Sequence, residues 1–329
     1  MLRKALSLAL GAALSVSAMA ADLKPAVVYD LGCKNDGSFN FAAFTGAERF
    51  KDETGVAYRD FEIQNDAQRE QALRNFARRG FNPVVAIGFS HGAAVEKVAA
   101  EFPDTQFGIV DMVVDLPNVR SILFKEHEGS YLVGLLAGMA SDSKKVGFVG
   151  GMDIPLIRRF ECGYKQGAMA AGATEVYGNM TGNTGAAWND PVKGGELTKS
   201  QIDRGADVVF QAAGGTGFGV LQAAADANIL GIGVDSNQNG LHPGKVLTSM
   251  LKRVDVAVYN AFNDYKNDNW STGFSVLGVA EGGVDWALDD NNADLISADM
   301  KAAVETAKNN IINGNLQVHD YMSDNACPM

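Results

Sequence analysis

The chain has 329 residues, room for two domains of ordinary size, with 47% hydrophobic and 20% charged residues and only 8 prolines. That composition excludes a disordered or fibrous chain, and a mean hydropathy of −0.04 speaks against a polytopic membrane protein. With 28 basic against 39 acidic side chains and no basic cluster to reverse the balance locally, the chain repels phosphate backbones, and no nucleic-acid partner is expected.

Residues 1–20 read as a secretory leader: Arg3 and Lys4 start it, an apolar run covers 5–16, and the small-residue pattern Ala18-Met19-Ala20 precedes Ala21-Asp22. The apolar run is too short to span a bilayer. Cleavage after Ala20 is expected to release a soluble periplasmic protein that inserts no segment into the membrane. No cysteine stands at the cleavage point, so no lipid anchor is expected. Cys33, Cys162 and Cys327 are too few for a disulfide framework; one bridge can form in an oxidising compartment, leaving one thiol over. The four histidines, His91, His127, His242 and His319, are scattered, and no metal-ligand spacing or cofactor motif appears.

From Pro25 onward, short apolar runs alternate with segments of helical period, the pattern of parallel sheets covered by helices. Strands are predicted over 26–29, 57–63, 84–88 and 106–110, with 119–124 continuing the sheet at an edge. Helices are predicted over 39–54, 66–79 and 93–101. A second series follows residue 125: helices over 128–139, 157–171, 192–204 and 217–228 alternate with strands over 145–150, 175–178, 208–211 and 230–234. Helices over 253–267 and 297–313 complete the count. So many strands fit two α/β lobes better than one sheet. The segments 247–253 and 274–279 look extended and suited to crossing between lobes as a hinge. The expected division is 21–125 plus 251–276 for one lobe and 126–250 plus 277–329 for the other.

In open α/β sheets ligands bind beyond the carboxyl ends of the strands, and those loops are rich in Gly, Asp, Asn and aromatic residues here. The first loop, Gly32 to Asn40, ends at Phe39, which faces either the core or a cleft, with Ser38 or Asp36 capping the helix. His91 opens another helix, as a cap or as a donor to ligand. Asp111 follows an apolar strand where a cleft is expected. Between Gln211 and Gly219 a glycine-rich turn lets backbone approach a ligand, but its Gly-x-Gly-x-Gly spacing is not the dinucleotide fingerprint. Asp235 follows another strand, and Lys252 lies in a candidate crossing segment. No nucleophile–base pair or Gly-x-Ser-x-Gly elbow is present. Rings, carboxylates, amides and one lysine suit the holding of a small, flat, hydroxyl-bearing molecule.

Taken in order, Asp36-Gly37-Ser38-Phe39-Asn40, Phe124-Lys125-Glu126-His127-Glu128-Gly129, Gly150-Gly151-Met152-Asp153-Ile154-Pro155 with Phe160 and Gly163, 207–219, and Gly233-Val234-Asp235-Ser236 resemble the BMP (PnrA-like, Med) family of substrate-binding proteins serving ABC transporters. The resemblance implies a two-lobed type I periplasmic-binding fold and a purine nucleoside or base as ligand, delivered by a monomer to a membrane permease. It implies that Phe39 and Phe218 sandwich the base and that Asn40 and Asp111 read its edge. Asp235 and Lys252, with the Gly214 and Gly215 backbone, would hold the ribose. Trp188 lies in a loop feeding the cleft; His91 and Cys33 match no fixed family position. A receptor for a sugar or other small polar metabolite, a ligand sensor for a membrane signalling partner, and an extracellular enzyme acting on nucleosides are the competing readings.

Overall fold

Two six-stranded sheets organise the protein, for which a computed structural model describes residues 23–328; the leader expected at 1–20 lies outside them. In the first sheet the strands β1 (Ala26–Tyr29), β2 (Arg59–Glu62), β3 (Val84–Ala86), β4 (Phe107–Val110), β5 (Val119–Phe124) and β11 (Gly273–Leu277) run in the order β11-β5-β4-β3-β1-β2. In the second, β6 (Lys145–Met152), β7 (Glu175–Gly182), β8 (Val208–Ala212), β9 (Leu230–Asp235), β10 (Val246–Lys252) and β12 (Val284–Trp286) run in the order β12-β10-β9-β8-β6-β7. All neighbours are parallel except β10 and β12.

The strands form where they do because helices cover both faces: β1, β3, β4 and β8 are buried along their whole length, so unbroken Val, Ile and Phe runs cost nothing in exposed apolar surface. The covering helices are amphipathic; α2 (Gln68–Arg78) buries Ala72, Leu73, Phe76 and Ala77 on one face. One apolar cluster runs from Val27, Tyr29 and Phe50 through Phe124 and Leu132 to Phe148, Phe210 and Trp286, so the core continues from one lobe into the other.

The chain passes between the sheets three times. It leaves β5 at Lys125 for α4 (Glu126–Ala140), which packs on α5 (Pro155–Ala170); it leaves β10 at Arg253 for α8 (Val254–Lys266), which packs on α1 (Phe39–Thr54); and it leaves β11 for β12 through residues 278–283. Three differences from the sequence expectation follow from this path. The segment 119–124 is not an edge, because β11 returns to cover it. Most of 247–253 is a full strand inside the second sheet, which β10 extends through Lys252, past the expected division at 250. The antiparallel β12 was not foreseen, being only three residues long.

Each sheet reverses its strand order beside its first strand, at β1/β3 and at β6/β8. Helices on opposite faces leave a crevice at such a point, and the two crevices face each other. After α9 (Ala298–Ile312) the chain end returns to α5, where Cys162 and Cys327 are joined by a disulfide with their Cα atoms 5.6 Å apart; Cys33 is free and exposed. Among the described residues no helix is long and apolar enough to cross a membrane.

Candidate functional site

A cavity lies between the facing crevices, at the place where open α/β sheets bind ligands. The first lobe lines it with Asp30, Asp36, Phe39, Asn40, Phe89 and Asp111, and the second with Ile157, Phe160, Trp188, Gly214, Asp235 and Lys252.

Lys252 sits at the end of β10 with its side chain 2% exposed. Its Nζ donates to Asp111 Oδ2 at 2.7 Å and lies 2.9 Å from Glu126 Oε1. The rings of Phe39, Phe124 and Phe160 surround it at 5.1, 5.1 and 5.6 Å. Burial opposes the ammonium charge, but Asp111, Glu126 and Asp235 outweigh burial and raise the lysine pKa, so the group is a cation at any ordinary pH. Burial alone would raise Glu126 as well; Lys252 and Arg159 overcome it and hold that carboxyl below its usual range. Asp111 differs. Burial, only partly relieved by Lys252, pushes it up to about 6, and its Oδ1 has no hydrogen-bond donor among the described residues. A ligand hydroxyl or amine would satisfy that buried acceptor.

Asp235 closes β9 in the left-handed region, φ 62°, and Asp111 follows β4 with φ 67°. Burial also pushes Asp235 up to about 6. One of its oxygens already accepts from the other lobe, from Ser38 Oγ at 2.5 Å. Two further hydrogen bonds cross beside it: Ser236 Oγ donates to the Ser38 carbonyl at 2.9 Å and Gln238 Nε2 to the Gly37 carbonyl at 3.0 Å. These three contacts tie the start of α1 to the loop after β9 and hold the lobes closed.

The start of α1 is built by Asp36, not Ser38. The Asp36 carboxylate accepts from the amides of Ser38, Asn40 and Phe41 at 2.8, 3.0 and 3.0 Å, satisfying donors that a helix start leaves free. Trp188 ends a short turn, Gly185–Trp188, pinned where the Ala187 carbonyl accepts from Thr181 and Thr216 hydroxyls at 3.0 and 2.8 Å. A side chain at Gly151 would collide with the Trp188 ring, so that glycine is what lets the indole lie against β6. Among the described residues no group of acids, histidines and cysteines is placed to hold a metal ion.

The family description for Bmp, an ABC transporter substrate-binding protein, PnrA-like, matches residues 24–321. The chain belongs to the Bmp family. The CD4+ T-cell-stimulating antigen of Listeria monocytogenes is 33% identical over 320 residues, covering 90% of this chain and 88% of that one. The ABC transporter nucleoside-binding protein BmpA of Lactococcus lactis subsp. cremoris is 33% identical over 322 residues, covering 90% and 89%. A solved solute-binding protein of an ABC transporter system from Aeropyrum pernix superposes with a TM-score of 0.82 at 30% identity, covering 90% of this chain and 92% of that one. This Bmp-family protein is thus an ABC transporter substrate-binding protein with the two-lobed type I periplasmic-binding fold.

Of the residues singled out from the sequence, the Bmp-family cavity gathers Phe39, Asn40, Asp111, Trp188, Gly214, Asp235 and Lys252. Three lie outside its lining. Phe218, expected opposite Phe39, instead covers Gly37, whose Cβ, if present, would lie 2.6 Å from the ring. Phe218 is the second residue of α7 (Gly217–Asp226). Gly215 is buried beneath the Trp188 carbonyl and Asn189. His91 is fully buried, and burial together with Arg69 pushes its imidazole down to about 3, so it is a neutral core group. Asn40 reaches the cavity with its amide already committed: Oδ1 accepts from the Asp30 amide at 3.0 Å, and Nδ2 donates to the carbonyls of Asp30 and Cys33 at 3.3 and 3.2 Å. It braces the loop after β1. Sequence reasoning passed over Asp30, Phe89 and Glu126, and gave Phe160 no role in the cavity. Asp30 is buried against the Arg69 guanidinium at 2.6 Å, a pairing across separate elements that spacing does not reveal.

Proposed function

We propose that this protein is a periplasmic receptor that closes its lobes on a purine nucleoside and presents it to an ABC permease. The observation that carries the reading is the division of the cavity. Phe39, Phe89, Phe160 and Trp188 supply flat apolar walls for a base, while Asp111, Asp235 and Lys252 supply acceptors and a donor for a hydroxylated sugar. Stacking on such walls contributes about 1–3 kcal/mol per base. The stacking partner of Phe39 is drawn from Phe160 and Trp188 of the second lobe rather than Phe218. A nucleoside-binding relative of similar length supports the ligand class, and the Cys162–Cys327 bridge supports an oxidising, extracytoplasmic compartment.

The decisive test is mass spectrometry of small molecules released on denaturing the purified protein, followed by calorimetric titration with adenosine, guanosine, inosine, free purines and ribose. Release or tight binding of a purine nucleoside is expected, with no product on prolonged incubation. Binding of ribose alone, with no affinity for any nucleoside, would overturn the reading in favour of a sugar receptor.

A further inference from the structure

The Lys252 cluster does not end at the cavity wall. Glu126, wholly buried at the first crossing, shares its carboxylate between two cations: Oε1 lies 2.9 Å from Lys252 Nζ and Oε2 lies 2.9 Å from Arg159 Nη1. Arg159, on α5, also donates to the carbonyl of Phe124 at 2.9 Å, the last residue of β5 before the chain changes lobe. Its other face is gripped bidentately by Asp320, with Nε and Nη2 at 2.7 Å from the two carboxylate oxygens. The result is a row of alternating charge, Asp111–Lys252–Glu126–Arg159–Asp320, that runs from the ligand cavity through the hinge to the chain end. Side-chain exposure rises outward along it, from 2% at Lys252 and 0% at Glu126 to 11% at Arg159 and 30% at Asp320.

Asp320 belongs to a segment without regular structure beyond one short turn, Tyr321–Ser323, so something else must hold it in place. Two attachments to α5 do so on either side. The Gln166 side chain exchanges hydrogen bonds with the His319 backbone at 3.0 and 2.8 Å, and the Cys162–Cys327 disulfide closes the far end. Both anchors lie on the same helix as Arg159.

We propose that the C-terminal segment around Asp320 is an outer brace of the hinge that positions the ligand-site cation. Asp320 orients Arg159, Arg159 fixes Glu126, and Glu126 with Asp111 fixes where Lys252 presents its proton. Without Asp320, Arg159 has only Glu126 as a charged partner and pulls it outward, and Lys252 follows the carboxylate it has left. Asp320 touches no ligand in this scheme; it is a positioning residue.

The test uses the full chain with Asp320→Asn, Cys327→Ser and, as a control that removes an unrelated ion pair, Lys145→Met; Lys145 pairs with Glu175 at 3.1 Å where β6 and β7 begin, at the strand ends away from the cavity. The readouts are the nitrogen resonance of the Lys252 ammonium, assigned by its loss in Lys252→Met, and calorimetric affinity for inosine. Asp320→Asn is expected to shift the resonance and weaken inosine binding at least about threefold, the scale of coupling through a packed network. Cys327→Ser should change both in the same direction and Lys145→Met neither. The proposal is overturned if Asp320→Asn leaves either readout at the wild-type value, or if Lys145→Met matches it. Should the wild-type protein bind no inosine, the resonance alone decides, whether or not another nucleoside binds: a shift confined to Asp320→Asn and Cys327→Ser supports the brace, and no shift overturns it.

Discussion

Asp111 and Asp235 each hold a left-handed backbone conformation that is uncommon outside glycine and asparagine, at a cost of about 1–3 kcal/mol per residue. Both turn off the end of a strand at that point, and the turn aims each carboxylate at the cavity instead of along the sheet. Burial has a second consequence. With pKa values near 6 in the folded protein, these carboxylates are harder to ionise folded than unfolded, so their contribution to stability is fullest below the unfolded carboxylate range and is lost as pH rises through about 6. Asp235→Asn, which keeps an oxygen for Ser38 and removes the buried charge, is therefore expected to raise the melting temperature of the unliganded protein at pH 7.5 and not at pH 4. The same change should weaken nucleoside binding at least about tenfold while affecting free bases much less, because a hydroxyl donor loses its charged acceptor. Equal losses for base and nucleoside would remove Asp235 from the sugar end. Wild-type affinity should fall as pH drops below about 6, and the fall should be shallower in Asp235→Asn. His91 behaves oppositely: as a neutral core imidazole outside the cavity, it should yield a destabilised His91→Ala protein of nearly unchanged nucleoside affinity, compared by thermal melts and calorimetry.

At the scale of elements, the start of α1 does two jobs. Asp36 caps it, which frees Ser38 to reach across to Asp235, and Gly37 between them turns with φ 64° beneath the Phe218 ring. Gly37→Val is strained twice over, by that φ and by the ring above it, so closure should suffer more than folding. Nucleoside affinity is expected to fall with a faster dissociation rate, and a stopped-flow trace with unchanged dissociation would place Phe218 and Gly37 outside the closing contact. The alternation of apolar runs with helical segments made the parallel sheets legible, because strands buried on both faces must be apolar throughout. β12 escaped notice because a strand of three residues has no period to detect. The loops that follow β1, β4, β8, β9 and β10 were legible as site-forming for a topological reason, and Phe39, Asp111, Asp235 and Lys252 do meet there. Phe218 was placed opposite Phe39 by the family resemblance alone, whereas its ring lies over Gly37. Trp188 is directed instead by Thr181 and Thr216, and Glu126 by partners far away in sequence. Such contacts leave no local pattern.

For the whole molecule, the repeated strand order matters more than any single strand. Because both sheets reverse at their first strand, the two crevices match, and three short crossings give the lobes a hinge to bring them together. The closed arrangement is held by interlobe hydrogen bonds from Ser38, Ser236 and Gln238 and by the Lys252–Asp111 pair, contacts that favour the closed form alongside those a ligand makes. A ligand shifts such an equilibrium only by its preference for the closed form, and the apparent affinity scales with the closed fraction already present. Ser236→Ala combined with Gln238→Ala removes two interlobe hydrogen bonds and no lining residue of the cavity, leaving the Ser38–Asp235 and Lys252–Asp111 contacts in place. The unliganded double variant should then be more open, with a larger radius of gyration by small-angle scattering, and should bind nucleoside about three- to tenfold more weakly, the range expected when one or two modest hydrogen bonds are lost. With saturating ligand its scattering should coincide with that of the wild type, since the ligand contacts are intact. If unliganded scattering and affinity both match the wild type, the Gly37–Gln238 and Ser38–Ser236 contacts are consequences of closure, not contributors to it.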